Sequence, residues 1–404
     1  MTQISNNPNS KTKAVLLGLI YLSTMFGMFN VFGNVSFITL FTGLLCILIV
    51  LENIQHGKII ICKNNLAIIL CCVYLIVLTW ISVIWSYDRS VTISRNYAYT
   101  ILPVYFICVE STTINKEDLD TVDNLIVLSG FLFFLYALFT QGITGLTSGR
   151  FAITADTDQN ATCACLFLIL VVTFKQIQKR IRLSKTTAFY IISFAMTAFL
   201  LLLTGSRGGL VAVATWILIL STVKRRGRLF RILVIGLFVV SIIYIIAPLV
   251  LPSSVYLRLF TSDSYMSTIA SEKNRVAIWT YCFETLVPRM KLCGYGAGVP
   301  PYMIGSYFGY SLRRGIHNTF LSMFLEFGYL GLPAFVMLLF CLIRRSISTK
   351  NREALALMVG IIIIAFFLES YPRTYFWNIL TYCSVYTKMQ ASNDYTDNQS
   401  KLSS

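Results

Sequence analysis

His317, followed by Asn318, is one of only two histidines in the chain; the other is His56. Histidine is the side chain best suited to take up a proton near neutral pH. Arg207 stands inside Thr204-Gly205-Ser206-Arg207-Gly208-Gly209, between two strongly apolar runs. Arg275 follows Asn274 and falls one helical turn before Trp279. The guanidinium is a planar fork of donors that matches a phosphate bidentately. The eleven cysteines show no paired CxxC or other metal-ligand spacing, which argues against a zinc site. One histidine with several arginines suits a particular chemistry. The imidazole deprotonates a hydroxyl, and the oxygen attacks an anomeric carbon. The arginines stabilise the negative charge that builds on a departing lipid diphosphate. Such a leaving group needs no strong general acid and no obligatory metal.

Each residue also has a plainer reading. Arg207 suits a hairpin tip where its side chain snorkels out of lipid. Arg275 suits an ordinary surface position on a membrane-lying helix. His317 suits an interfacial histidine bonded to backbone. What favours the chemical reading is that all three fall on one side of a membrane, as the rest of the sequence shows.

The chain is 56% hydrophobic and 12% charged. A soluble domain carries roughly 25% charged residues, so the solvent here is lipid. Several apolar runs reach the roughly 17–25 residues that cross a bilayer. The reading gives about twelve spans, near 14–30, 35–51, 66–84, 96–110, 122–141, 160–174, 186–203, 208–223, 229–249, 318–343, 353–369 and 373–387. The run after Lys11 and Lys13 reads as the first membrane helix and not as a cleaved signal. The polar ends, roughly 1–13 and 388–404, read as disordered. No internal repeat and no appended soluble domain is apparent.

A formal charge of +16 would suggest nucleic acid in a soluble protein. Here the basic residues lie between apolar runs, so topology and an anionic membrane surface account for most of it. No nucleic-acid-binding module is visible. With the N-terminus inside, the densest basic groups become cytoplasmic: Lys175 to Lys185, Lys224 to Arg231, and Arg344 to Arg352. Both termini are then cytoplasmic. The outside retains Arg89, Arg95, Arg150, Arg207, Arg258, Arg275, Arg289, Arg313, Arg314 and Arg373, with only Lys273 and Lys291. A topology rule does not predict that bias toward arginine. It suits an outward-facing site for a phosphate-bearing ligand, and it also suits drift in a small sample.

The longest connection, about 250–316, is also outside, and loops of this length are usually functional or disordered. Val276, Trp279, Phe283, Leu286 and Val287 recur at helical spacing, which predicts an amphipathic helix on the outer membrane surface, with Pro288 soon after its end. Gly294, Gly296 and Gly298, then Pro300 and Pro301, suit a tight turn. Cys282 and Cys293 share this loop and suit either a disulfide or free thiols.

Taken in order, these elements resemble the O-antigen ligase and O-antigen polymerase family. The resemblance rests on TGSRGG at 204–209, on Arg275 to Trp279 with the Gly294-Tyr295-Gly296 turn, and on His317-Asn318 leading to Glu326-Phe327-Gly328-Tyr329-Leu330-Gly331. Gly149-Arg150, with Asn160 ten residues on, resembles an earlier and weaker element. The resemblance covers about 150–345; the N-terminal spans match only in hydropathy. It implies one all-α polytopic membrane domain over 1–404, GT-C-like, in the bacterial inner membrane, with its active site facing the periplasm or exterior. It implies a glycan donor on undecaprenyl diphosphate, a glycan acceptor and no cofactor. Arg207, Arg275 and, more weakly, Arg150 would bind the diphosphate, and His317 would activate the acceptor hydroxyl. Ser206, Trp279 and Asn318 would support them, with Asn318 orienting His317. Glu326 would be a structural charge near the cavity. Glu369 and Arg373 flank the last outside turn and suit either a structural pair, the favoured reading, or a place in the lining of the site.

Within that resemblance a polymerase is favoured. A ligase that moves the glycan to lipid A–core or another acceptor is the alternative. A chain-length regulator or a flippase would be natural partners. A flippase for the same lipid-linked glycans is the rival from another class. Against it stand the lack of repeated halves and of paired broken helices at midplane. A non-catalytic membrane scaffold would make the histidine and arginine set a coincidence.

Overall fold

The computed structural model describes residues 9–26, 30–32, 35–55, 57, 63–146, 150–152, 158–180, 184–221, 255, 275–309 and 313–402. The predicted span at 229–249, His56, Arg258, Lys273 and Asn274 lie outside the described residues. The chain divides into two compact units, Met1–Leu48 with Thr113–Tyr265, and Ile49–Thr112 with Met266–Ser404.

Almost all described structure is helical. A short pair of antiparallel strands, Asn30–Phe32 and Val35–Ser36, precedes helix α2, Phe37–Gln55. Among the described residues six helical stretches are long and apolar enough to cross a membrane: Phe37–Gln55, Asn65–Ile84, Glu117–Gly142, Gln159–Gln178, Lys185–Leu203 and Thr319–Ser348. This agrees with an all-α membrane protein.

The first unit holds α1 (Ser10–Met25), α5 (Lys116–Leu146), α6 (Gln159–Gln178), α7 (Lys185–Leu203) and α8 (Arg207–Ser221). Small residues set the close approaches, as is usual between membrane helices. Gly18 of α1 leaves space only for Leu125 of α5, and Gly130 of α5 faces Ile169 of α6 and Thr197 of α7. At one end of this unit, in the region read as cytoplasmic, Lys175 pairs with buried Asp123 at 2.9 Å and Lys179 with Asp120 at 2.6 Å. Burying Asp123 without such a partner would leave an uncompensated charge.

The second unit is built on α3 (Lys63–Ile81), α4 (Arg89–Glu110), α11 (Thr319–Ser348), α12 (Arg352–Phe367) and α13 (Thr374–Leu402). Their contacts close a ring: α3 packs on α4, α4 on α13, α13 on α12, α12 on α11, and α11 on α3. Phe106, Phe335, Phe376, Trp377 and Tyr382 fill it, all fully buried. Residues 374–402 contain neither glycine nor proline, and the helix runs on to Leu402. The tail read as disordered from about 388 is therefore helical as far as that residue.

One polar cluster fastens this ring. Arg345 donates from both Nη atoms to the Glu110 carboxylate at 3.0 Å and from Nη1 to Asn65 Oδ1 at 3.1 Å. Ser384 donates to Glu110 as well, and Lys388 caps the end of α4 through the carbonyls of Val109, Glu110 and Thr112. Removing one member of a buried ion pair strands the other. Glu110→Ala is expected to destabilise the protein by about 3–5 kcal/mol, read as a lower unfolding midpoint in detergent, with far less loss when Arg345→Met is combined with it.

Candidate functional site

His317 ends the loop that enters α11. Asn318 is the helix N-cap, its Oδ1 accepting the Leu321 N–H at 2.9 Å. Its carboxamide is thereby engaged in starting the helix. Two tethers fix the residues just before it. Trp279 Nε1 donates to the Ile316 carbonyl at 2.8 Å, and the Arg314 N–H donates to the Pro301 carbonyl at 2.7 Å. His317 itself has φ +56°, the left-handed region that non-glycine residues seldom occupy. A side chain held there is over-determined by its surroundings, which is common where geometry serves function.

Trp279 belongs to α9, Arg275–Tyr281, which continues through a π-helical turn, Cys282–Leu286, to Val287–Arg289. Ile278, Cys282 and Leu286 form the buried face, packing with Ile304, Ile316, Leu321 and Leu325. The amphipathic segment is present, but its core line differs from the expected one. Val276 and Phe283 are exposed, and Pro288 lies within the last turn instead of following it. Cys282 and Cys293 are both free thiols. Arg275 is the first residue of α9 and is half-buried.

Glu326 has a larger part than a charge beside a cavity. Helix α11 breaks at Gly328, whose φ of +61° and ψ of −145° suit glycine alone. The break leaves the Leu325 and Glu326 carbonyls to accept the Tyr295 and Gly296 N–H groups at 2.8 and 2.9 Å, and the Tyr329 N–H returns to the Leu292 carbonyl at 2.9 Å. The Glu326 carboxyl group then meets Tyr99 Oη at 3.0 Å, Ser322 Oγ at 2.8 Å and the Gly298 N–H at 3.1 Å. The glycine turn is thus pinned against the broken helix. A Cβ at Gly328 would collide with the Leu292 carbonyl. Gly328→Ala is expected to cost several kcal/mol, read as a lower unfolding midpoint together with faster proteolysis of the 290–299 turn, because backbone cannot yield there as a side-chain tip would.

A charged group not apparent in the sequence centres on Glu369, next to His317. The imidazole and Glu369 flank the same face of Gly315: a Cβ at Gly315 would stand 3.5 Å from Glu369 Oε2 and 3.8 Å from His317 Nε2. Glu369 lies in the turn between α12 and α13. Burial pushes its carboxyl above the ordinary carboxylate range, against the pull of Arg373, Arg313, the Ile316 N–H and Arg95. Burial and the like charges of Arg95 and Arg373 in turn lower Arg313 from the usual guanidinium value. Arg95 is held by Tyr302, whose Oη is 2.8 Å from Nη2. Arg373, Arg313 and Arg95 thus all act on Glu369, the carboxyl group next to the imidazole. The bias toward arginine was visible in the sequence; the convergence of residues 95, 313 and 373 was not.

Arg150, Ser206 and Arg207 belong to the first unit. Arg150 Nε donates to the Thr204 carbonyl at 2.9 Å, and the Phe151 N–H to the Leu203 carbonyl at 2.9 Å, so this strand of chain caps the end of α7. Ser206 Oγ accepts the Gly209 N–H at 3.3 Å and starts α8. Gly209 lies against Cys163 Sγ with no room for a side chain. Arg207, half-buried, is the first residue of α8. Asn160 turns back to Asp158, the cap of α6, with Nδ2 at 2.8 Å from Oδ1.

Long apolar helices mark an all-α membrane protein, and the described residues before α11 present one histidine and several arginines. Residues 191–336 match the family model described as O-antigen ligase, and the match supports assignment of the chain to the O-antigen ligase/polymerase family. The matched stretch takes in TGSRGG, Arg275 to Trp279, the glycine turn, His317-Asn318 and Glu326 to Gly331, but not Arg95, Arg150 or Glu369. No curated protein matches the chain. The match supports glycan transfer of the O-antigen ligase/polymerase type in general, between a lipid-linked glycan and an acceptor.

Proposed function

We propose that the protein transfers a glycan from undecaprenyl diphosphate to an acceptor sugar hydroxyl on the outer face of the bacterial inner membrane, and that it polymerises repeat units of a surface polysaccharide. The single observation that carries this reading is His317, held in a left-handed backbone conformation at the start of α11 and beside Glu369, on which three arginines act. His317 takes the proton of the acceptor hydroxyl. The acceptor oxygen forms its bond to the anomeric carbon as the bond from that carbon to the diphosphate oxygen breaks, and the electron pair leaves with the diphosphate. Arg207 and Arg275, with Arg150 in a lesser role, bind the diphosphate. The Arg95, Arg313 and Arg373 group adds positive potential where the negative charge develops. Glu369 stabilises the imidazolium that forms, and the proton passes from it to water. Trp279 acts through Ile316 as a positioning residue, and Glu326 through the glycine turn.

In this reading the chain is one membrane domain of twelve spans with a GT-C-like arrangement, both termini are cytoplasmic, and the segment 290–317 is outside. Reporter fusions test that directly. A fusion at about residue 291 should be active as a periplasmic reporter and silent as a cytoplasmic one. The opposite pattern would remove the lipid-linked donor from reach of His317 and end the proposal. A companion assay follows release of undecaprenyl diphosphate from the host's own lipid-linked repeat unit. Release should require both protein and acceptor.

A further inference from the structure

The loop that places His317 also carries an aromatic surface that the proposed chemistry does not use. The rings of Tyr281, on α9, and Tyr307, at the end of α10 (Pro300–Tyr307), stack with centroids 3.8 Å apart and planes within 16°. Phe308 stands edge-on to both. Tyr307 is 62% exposed even so, and Tyr87 is 74% exposed. Tyr87 is tied to the same surface, since its N–H donates to the Tyr295 carbonyl at 2.9 Å. Arg289 and Tyr87 are both close enough to Tyr281 and Tyr295 to act on their hydroxyls.

Two ordinary explanations fit poorly. A core pair would be covered, and this one is not. The edge of α9 that suits contact with lipid is the exposed, purely apolar Val276 edge. At about 100° per residue, Tyr281 falls on the opposite flank of the buried Ile278 and Cys282 line from Val276. The tyrosine flank instead combines flat apolar ring faces with hydroxyls and a guanidinium. That combination matches a sugar ring, which has an apolar C–H face and a rim of hydroxyl groups. The tyrosines also belong to the same packed unit as the candidate site. Ile278 and Cys282 of α9, Ile304 of α10 and Ile316 next to His317 share one buried cluster.

We propose that the Tyr281–Tyr307 stack, with Tyr87 and Arg289 at its edge, is a saccharide-binding platform that holds a sugar of the glycan chain away from the bond being made. The C–H face of the sugar lies on the open face of Tyr307, and its hydroxyls bond to Tyr87 Oη and Arg289. The proposal rests on the reading of this unit as a glycan transferase.

The test uses the full-length protein in nanodiscs and, as probe, the oligosaccharide freed by mild acid from the host's lipid-linked repeat units. Binding is followed by saturation-transfer NMR in the wild type and in a His317→Asn background. Binding should be present in both, weaken at least tenfold in Tyr307→Ala, and survive in Tyr307→Phe, which keeps the ring face. In the transfer assay Tyr307→Ala should give shorter products or a higher acceptor KM, with kcat for a single transfer retained. Unchanged probe binding in Tyr307→Ala would overturn the platform. If transfer is never seen but Tyr307-dependent binding is, the transferase reading fails and the platform stands. If transfer is seen with no probe binding, the platform fails alone.

Discussion

His317→Asn is expected to lower glycan transfer by about 10²- to 10⁴-fold, the usual worth of a general base, with the unfolding midpoint unchanged. Asparagine is the informative replacement because of the backbone. At φ +56° most side chains are strained, whereas asparagine enters the left-handed region readily. Alanine would add about 1–2 kcal/mol of backbone cost to any chemical effect, so His317→Ala alone confounds folding with catalysis. The expected pattern is therefore loss of kcat in both variants and loss of stability in alanine only. Full activity in His317→Asn would take His317 out of the mechanism. A fall in activity that only tracked a fall in stability would leave it as a turn residue.

Arg207→Lys and Arg275→Lys should each reduce kcat/KM by about 10²-fold or more, the range seen when a donor to a developing negative charge is removed. Lysine keeps the charge but not the planar fork, so indifference to the change would mean that these residues supply only a point charge. Both stand at the first position of a helix and are half-buried. Arg150→Lys should be milder. Its Nε is already committed to the Thr204 carbonyl, and lysine can replace that single donor.

How far the sequence alone could go is clear from particular residues. The apolar runs gave most helices directly; 318–343 starts one residue before Thr319–Ser348, and 186–203 lies within Lys185–Leu203. Length and hydropathy decide such segments, and both are local properties. His317, Asn318 and Trp279 were legible as a set because each is of a rare or chemically distinct type. Their division of labour was not. Asn318 caps α11, and Trp279 reaches Ile316, 37 positions away. The core line of α9 was misjudged because Val276 and Phe283 are apolar but face outward, while the small thiol of Cys282 lies inward at the start of a π turn that shifts the helical phase. Glu326 could be seen as an acid in an apolar helix. Its partners Tyr99 and Gly298 are 227 and 28 positions away, and no local pattern announces them. The same holds for Glu369 and Arg95, which the ring of helices in the second unit brings towards Arg313 and Arg373.

The central claim is that this chain makes the glycosidic bond and that His317 is its base. The direct measurement places purified protein in liposomes with one undecaprenyl diphosphate-linked repeat unit from its own host and no other acceptor. The account predicts a ladder of longer lipid-linked chains, absent in His317→Asn protein that remains folded. No ladder, followed by transfer once lipid A–core or another acceptor is added, would keep the base and replace the polymerase with a ligase. No transfer from a verified donor to either acceptor by folded protein would contradict the account and favour a transporter of the same lipid.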